Sequence, residues 1–405
     1  MWQKVKNYYH LAQALIASVI YGFPAKKLKV IGVTGTDGKT TTVQMIYEIL
    51  TASGAKAAAI SSIQAVIGDK TFDTGFHVTT PSPFALQKLL KDTVDAGCQF
   101  VVLEVTSHGL DQNRVAVIPF EVGVLTNISP EHLDYHKTFE NYLEAKSKLF
   151  KRSKLSILNA DDESFSFFKK TAKGKIVTYG VKNKADFTLN NFALRLKISG
   201  EYNYYNALAA ATAARALNIN DAIIKKALEN FSNLPGRMEE VKNDLGIKIY
   251  IDFAHTPNAL ENALKTLRSQ VSSQNSALVS VFGAAGERDK IKRPFMGAVS
   301  ARLANITIIT AEDPRSEDPA IIAEQIFAGF KKKGGKLGKN VFIETDRGKA
   351  IKLAVKMAKE GDIVAIFGKG HEKSMAYNGK EFPWSDKEEV IKVLEEKKTK
   401  NENRF

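Results

Sequence analysis

The sequence predicts an α/β protein made of two parallel-sheet domains, and three observations carry that prediction. Apolar strand-like runs at residues 29–33, 100–105, 122–126 and 156–159 alternate with helical patterns, the rhythm of βαβ units and a mostly parallel sheet. A Leu-Pro-Gly-Arg break at residues 234–237 interrupts that rhythm. Beyond the break it restarts, with strands at 247–251, 277–282, 306–310 and 363–367, each followed by a polar loop bearing Gly, Pro or His. Open parallel sheets bind ligands at the carboxyl ends of their strands, so these later loops form one candidate rim.

The expected organisation is an N-terminal helical segment at 1–28, a central domain at 29–235 and a C-terminal Rossmann-like α/β domain at 236–405. Residues 1–27 read as helix and are most apolar over 11–23. No small-residue cleavage site follows, which argues against a signal peptide. Two uses of this helix stay open. It packs on the domain behind it, or it is an interfacial membrane helix with Trp2, Tyr8 and Tyr9 at the surface, making a peripheral membrane contact. Residues 202–230 read as helical, Ala-rich first and charged later.

Bulk properties narrow the partners. In 405 residues, 44% are hydrophobic and 25% charged, an ordinary globular balance that excludes a disordered chain. The lone Cys98 excludes a disulfide scaffold and a cysteine-rich zinc site, and it suits a reducing cytoplasmic location. No apolar stretch reaches the roughly 18–20 residues of a membrane span. The net charge of +14 favours anionic partners. Without a zinc finger, an aromatic RNA-binding motif or an Arg-rich arm, phosphorylated small molecules are expected rather than nucleic acid.

Gly35-Thr36-Asp37-Gly38-Lys39-Thr40-Thr41 lies between a strand and a helix. Its glycines let backbone N–H groups curl around phosphates, and the helix N-terminus adds partial positive charge. Lys39 supplies a point charge for the outer phosphates and Thr40 a hydroxyl for Mg²⁺. The strict pattern has Gly where Val33 stands, so this is a variant, and ATP is the expected ligand. With this loop, the central domain reads as a P-loop ATPase domain. Glu104 ends an apolar strand, where a carboxylate needs a cation beside it; a place near the magnesium ion is expected.

Two further features leave alternatives open. The loop from Thr126 to His136 carries Asn127, Glu131 and His132, suited equally to metal or nucleotide contact and to an ordinary turn. On a helix over 138–150, Lys146 falls in the middle of the apolar stripe of Phe139, Tyr142, Leu143, Leu149 and Phe150, whereas Lys148 falls on the polar side. A lysine aimed at a core should have a lowered pKa, leaving a neutral amine able to react with CO₂ to give a metal-binding carbamate. The alternative is a stem that snorkels to water.

These stretches together resemble the Mur ligase family. The match runs through residues 35–42, 77–81, 103–114, 126–136, 142–150, 158–162, 202–207, 234–238, 252–257, 283–294, 312–315 and 368–372, in order. The resemblance implies an ATP-dependent amide ligase. An acceptor carboxylate takes the γ-phosphoryl group, giving an acyl phosphate and ADP; an amino-acid amine then displaces phosphate, in a cleft closed against water. ATP and Mg²⁺ are the implied cofactors, and a muramyl-peptide acceptor and a diamino acid the implied partners.

By the same resemblance, Lys39 stabilises the transferring group, Thr40 and Glu104 hold one Mg²⁺, and His132 with carbamylated Lys146 holds a second. Asn127, Arg237 and His255 lie near the nucleotide. Thr79, Thr80, Thr106, Gln112 and Arg114 contact the acceptor, with Thr106 standing where the family usually has Ser. Arg293, Glu312, Asp313, Pro314, Arg315, Gly368 and Glu372 read the incoming amino acid. Arg315 favours meso-diaminopimelate over lysine, because its guanidinium suits the distal carboxylate. Glu312 and Asp313 depart from the family's Asp and Asn. The P-loop strand begins near residue 29, so the family's N-terminal uridine-nucleotide-binding domain is expected to be absent, which raises the alternative of a lipid-linked or other non-UDP acceptor. Residues 183–200 are short for the central domain and read as trimmed.

Overall fold

The apolar run after Leu28 forms strand β1 (Lys29–Thr34), buried from Val30 onward. It sits inside an eight-stranded sheet with β2 (Ala57–Ile60), β3 (Ala65–Ile67), β4 (Lys70–Phe72), β5 (Phe100–Glu104), β6 (Phe120–Leu125), β7 (Ser153–Asn159) and β8 (Lys175–Tyr179). The order is β4-β3-β2-β5-β1-β6-β7-β8, parallel throughout except for the antiparallel pairs β2–β3 and β3–β4. This computed structural model describes residues 2–72, 80–271, 273 and 275–402.

Register places the chemistry. Val33 pairs with Glu104 across β1–β5, and Thr34 with Leu125 across β1–β6. The segments that follow β1, β5 and β6 therefore leave the sheet at one edge, side by side, and the segment after β2 joins them through its pairing of Ile60 with Leu103. Beneath lies a core of strand residues such as Val30, Val101, Leu103 and Leu125 packed with Leu86, Leu90, Leu149 and Phe150 from helices.

Helix starts follow from local chemistry. Ser82 caps helix Pro83–Asp95, Thr256 caps Pro257–Arg268 and Asp318 caps Pro319–Lys331, each side chain accepting a backbone N–H from within the first turn. Proline at the first helical position suits all three, because its missing N–H would be orphaned there anyway. The stretch expected as one helix over 202–230 is two, Glu201–Ala216 and Asp221–Asn230. Asn218 takes a left-handed backbone (φ 65) and Asn220 caps the second helix through Ala222 N, so the chain turns between them. In residues 183–200, the only sheet pairing among the described residues is an isolated bridge from Phe187 to Tyr179.

Contacts divide the chain into two compact units, Met1–Ser232 and Asn233–Phe405. The second holds β9 (Glu239–Val241), β10 (Lys248–Asp252), β11 (Leu278–Phe282), β12 (Ile306–Ile309), β13 (Val341–Ile343) and β14 (Ile363–Phe367) in the order β13-β12-β11-β14-β10-β9. Only β9 runs antiparallel. A hairpin of β15 (Ser374–Tyr377) and β16 (Lys380–Pro383) forms a separate two-stranded sheet. Alternation sorts each strand into two cores: Leu278, Phe282, Ile363, Ala365 and Phe367 face one helix layer, and Val279, Val281, Val364 and Ile366 face the other.

A buried ion pair locks this unit. Arg347 and Asp386 are 2% and 0% exposed, with Arg347 Nε donating to Asp386 Oδ1 at 2.7 Å and Nη2 to Oδ2 at 2.7 Å. Arg347 also donates to the carbonyls of Ala311 and Phe367, tying two strand ends together. Removing one partner strands a buried charge, so Asp386→Ala is expected to lose about 3–5 kcal/mol of stability in urea unfolding. A loss below about 1 kcal/mol would show the pair to be dispensable.

Candidate active site

The loop after β1 is held from the side by the segment after β6. Thr36 N donates to Asn127 O at 2.7 Å, Asp37 N to Asn127 Oδ1 at 3.0 Å, and Asn127 Nδ2 returns to Asp37 O at 2.9 Å. Asn127 thus pins the loop. Gly35 (φ +152) permits this closeness, because a Cβ there would lie 1.8 Å from Thr126 Oγ1. Gly38 begins helix Lys39–Ala52, and no side chain caps that helix. A helix N-terminus of this kind carries partial positive charge suited to an anion, and Lys39 Nζ curls back over the loop to Thr36 O at 2.8 Å. These features fit a nucleotide's phosphates.

Oxygen donors meet at the next strand ends. Thr40 Oγ1 donates to Glu104 Oε2 at 3.0 Å and lies 3.1 Å from Ser62 Oγ, while Ser62 N donates to the same carboxylate oxygen at 3.0 Å. Glu104 is 2% exposed. A hydroxyl and a carboxylate are hard oxygen ligands of the kind Mg²⁺ takes together with substrate phosphates. Among the described residues no three His, Cys, Asp or Glu side chains converge as a metal cluster.

Helix Phe139–Phe150 brings Lys146 to the loop from below, its start fixed by Thr138. Lys146 is 2% exposed; its Nζ donates to Gly35 O at 2.7 Å and sits 4.6 Å from the centre of the Tyr142 ring. Burial, reinforced by the Lys39 charge, holds its pKa well below the ordinary lysine value. The stem does not snorkel out. Tyr142 itself reaches Thr36 Oγ1 at 2.9 Å. His132 occupies a left-handed position (φ 56) before the short helix Leu133–His136, its ring 4.7 Å from that of His108. His136, 5.5 Å from His108 by ring centres, is pushed down to about 4 by burial and by the His108 ring.

The residues expected at the acceptor also converge. Thr80 Oγ1 lies 3.0 Å from Thr106 Oγ1 and accepts from Thr106 N. Arg114 donates through Nη1 to Thr80 O at 2.8 Å and through Nε to Gln112 Oε1 at 2.9 Å. Thr79 lies outside the described residues.

In the second unit Arg237 stacks on Phe253, 4.5 Å from the ring centre, and Phe253 packs against His255 and His371. His255 Nδ1 lies 2.9 Å from Phe253 O. The loop after β12 carries Glu312, Asp313, Pro314 and Arg315. Asp313 accepts from Lys369 Nζ at 2.9 Å, and Lys369 also meets Glu372 at 2.6 Å, so a buried lysine sits between two carboxylates. Glu312 is buried against Gly368 (φ +107), where a Cβ would come 2.7 Å from its Oε2. That oxygen accepts no hydrogen bond, and burial pushes the carboxyl up to about 7 against the pull of Lys292 and Lys369. Arg315 has a left-handed backbone (φ 55) clamped to the hairpin by Arg315 N to Ala376 O and Asn378 N to Arg315 O.

Arg293 departs from expectation. Its guanidinium is 0% exposed and already engaged by Glu317, Gln325 and Ala285 O. It holds the loop after β11 to the loop after β12. Ser62, Asn206 and Phe253 were not anticipated as site residues. Asn206, from helix Glu201–Ala216, would stand 2.2 Å from a Cβ on Gly38. The signal for Ser62 was its place just past a buried alanine-rich strand; Asn206 lies within the family-like stretch 202–207, which assigned it no role.

A glycine loop whose following threonine shares an oxygen-lined corner with a strand carboxylate defines a class, the enzymes that move the phosphoryl group of a nucleoside triphosphate. Residues 33–214 match the Mur ligase middle domain, and residues 236–370 the glutamate ligase domain of Mur ligases. The UDP-N-acetylmuramoyl-L-alanyl-D-glutamate–2,6-diaminopimelate ligase of Aquifex aeolicus is 42% identical over 93% of this chain and 80% of its own length. The ligase of the same name from Clostridium botulinum is 38% identical over 95% of this chain and 82% of its own. A solved structure of a ligase of that name superposes at TM-score 0.60 and 34% identity, covering 92% of this chain and 79% of the other. The chain belongs to the Mur ligase family, ATP-dependent amide ligases that form ADP.

Proposed function

We propose that this chain joins meso-diaminopimelate to UDP-N-acetylmuramoyl-L-alanyl-D-glutamate in the cytoplasm, a step of peptidoglycan synthesis that runs through an acyl phosphate. The observation that carries the reading is Lys146, a buried amine bonded to the nucleotide loop; the names of the relatives at 38% and 42% identity support the choice of substrates.

A carboxylate is a poor electrophile, and phosphorylation gives its carbon a leaving group. Thr80, Thr106, Gln112 and Arg114, already joined by hydrogen bonds, orient the acceptor. Lys39 meets the charge that builds on the transferring phosphoryl group. Thr40 and Glu104 would hold one Mg²⁺, and His132 with carbamylated Lys146 a second; the ions supply charge neutralisation along the phosphates. The Lys146 amine, its pKa held down by burial, adds CO₂ as the neutral base and releases one proton, so that a neutral nitrogen becomes an anionic carbamate; counted from the ammonium, two protons leave. Asn127 keeps the loop in shape.

In the second unit, Arg315 grips the distal carboxylate of the diamino acid. Asp313, Pro314, Gly368 and Glu372 shape its pocket around Lys369, with Glu312 beneath. Arg293 acts at one remove by fixing Glu317 behind that loop. The test is phosphate release from ATP with UDP-N-acetylmuramoyl-L-alanyl-D-glutamate and a panel of amino acids, with mass spectrometry of the product. Release with meso-diaminopimelate well above every other amino acid is expected; equal release with lysine would overturn the substrate assignment.

A further inference from the structure

Helix Trp2–Ile20 inverts the usual pattern of a surface helix. Its inner face is Ala14, Ala17 and Ser18, all buried, and it packs on helix Pro83–Asp95. Asn7 and Asn113 bind its first half to the protein, through Asn7 Nδ2 to Asp111 Oδ2 at 3.2 Å and Asn113 Nδ2 to Asn7 O at 3.2 Å. The outer face is the apolar one. Tyr8, Tyr9, Leu15, Ile16, Val19 and Ile20 are each between 51% and 71% exposed. Their spacing lays them along one side of the helix. The Trp2 side chain lies outside what is described. A continuous exposed apolar stripe of this kind marks an interaction surface.

Charge identifies the occupant. Residues 1–36 contain no Asp or Glu, while Lys4, Lys6, Lys26, Lys27 and Lys29 bracket the stripe, in a chain of net charge +14. Lys26, Lys27 and Lys29 are exposed at the end of the helix, where Phe23 is 42% exposed and Lys26 Nζ stands 4.5 Å from its ring centre. Apolar side chains along one face, tyrosines near one end and lysines at the margins are the elements of a helix that lies in the headgroup layer of an anionic bilayer. No helix among the described residues is long and apolar enough to cross a membrane, and the packed inner face of this one leaves it only the option of lying flat. We infer that this helix docks the protein on the surface of an anionic lipid bilayer.

The test is flotation of the full chain with vesicles of phosphatidylglycerol and phosphatidylethanolamine, against vesicles of phosphatidylcholine. Binding to the anionic vesicles is expected to be about tenfold or more tighter and to weaken with salt. The double variant Ile16→Glu/Val19→Glu is expected to lose binding at least about tenfold. Because both sites are exposed, it should melt like the parent and release phosphate from ATP at the parent's rate. The double variant Lys26→Gln/Lys27→Gln should weaken anionic binding severalfold and leave the faint binding to phosphatidylcholine unchanged. Absence of anionic binding, or equal binding by Ile16→Glu/Val19→Glu, would overturn the inference. So would self-association that this variant abolishes and vesicles do not compete with, since the stripe would then serve a second copy of the chain.

Discussion

Lys146→Ala is expected to lower turnover by about 10³-fold or more while the protein still folds and binds nucleotide. The amine is buried, holds a pKa well below the lysine norm, and donates a hydrogen bond to Gly35 O in the nucleotide loop. An unmodified ammonium in that place, beside Lys39, would add positive charge where a phosphoryl group must pass. A carbamate turns the same side chain into an oxygen donor. Alanine removes the donor and leaves a small cavity against Tyr142, which costs stability modestly compared with the loss of rate. Short carboxylic acids are expected to restore part of the activity by placing a carboxylate in the cavity, and bicarbonate alone is not. Activity close to the parent's, measured by coupled ADP formation, would remove the carbamate from the account.

Arg315→Ala is expected to reduce kcat/KM for meso-diaminopimelate about 100-fold, on the scale of the roughly 3 kcal/mol that a charged, bidentate hydrogen bond carries. The backbone of Arg315 is held on both sides by the hairpin, in a left-handed position. Loss of the guanidinium should therefore spare the loop. The KM for ATP should change by no more than about twofold, because the nucleotide loop belongs to the other unit. Equal losses for both substrates in steady-state kinetics would mean that Arg315 supports the structure and does not read the substrate.

How far the sequence revealed these features depended on how local their causes were. The glycine loop, Glu104 at a strand end and the placement of Lys146 within an apolar stripe follow from patterns a few residues long, and they recur in the structure at 2.7–3.0 Å contacts. Helix Phe139–Phe150 was visible for the same reason, with Thr138 as its cap. What stayed hidden depended on distant partners. Ser62 joins Thr40 and Glu104 only because β2 pairs with β5, and Asn206 reaches Gly38 from a helix that begins at Glu201. Arg293 is assigned to the incoming amino acid by the family resemblance, which says nothing of its partners within the fold. Its partners Glu317 and Gln325 lie 24 and 32 residues away, and their hydrogen bonds engage Nη1. Antiparallel β3 and β4 were missed because three-residue strands are too short to show a period.

The central claim is that the energy of ATP passes through a phosphorylated carboxylate, and isotope transfer tests it most directly. The acceptor is prepared with ¹⁸O in the carboxylate to be joined, turned over with ATP and meso-diaminopimelate, and the released phosphate is examined by mass spectrometry. The account predicts one ¹⁸O in the phosphate for each amide bond formed. Phosphate free of the label, alongside normal amide product, would contradict it.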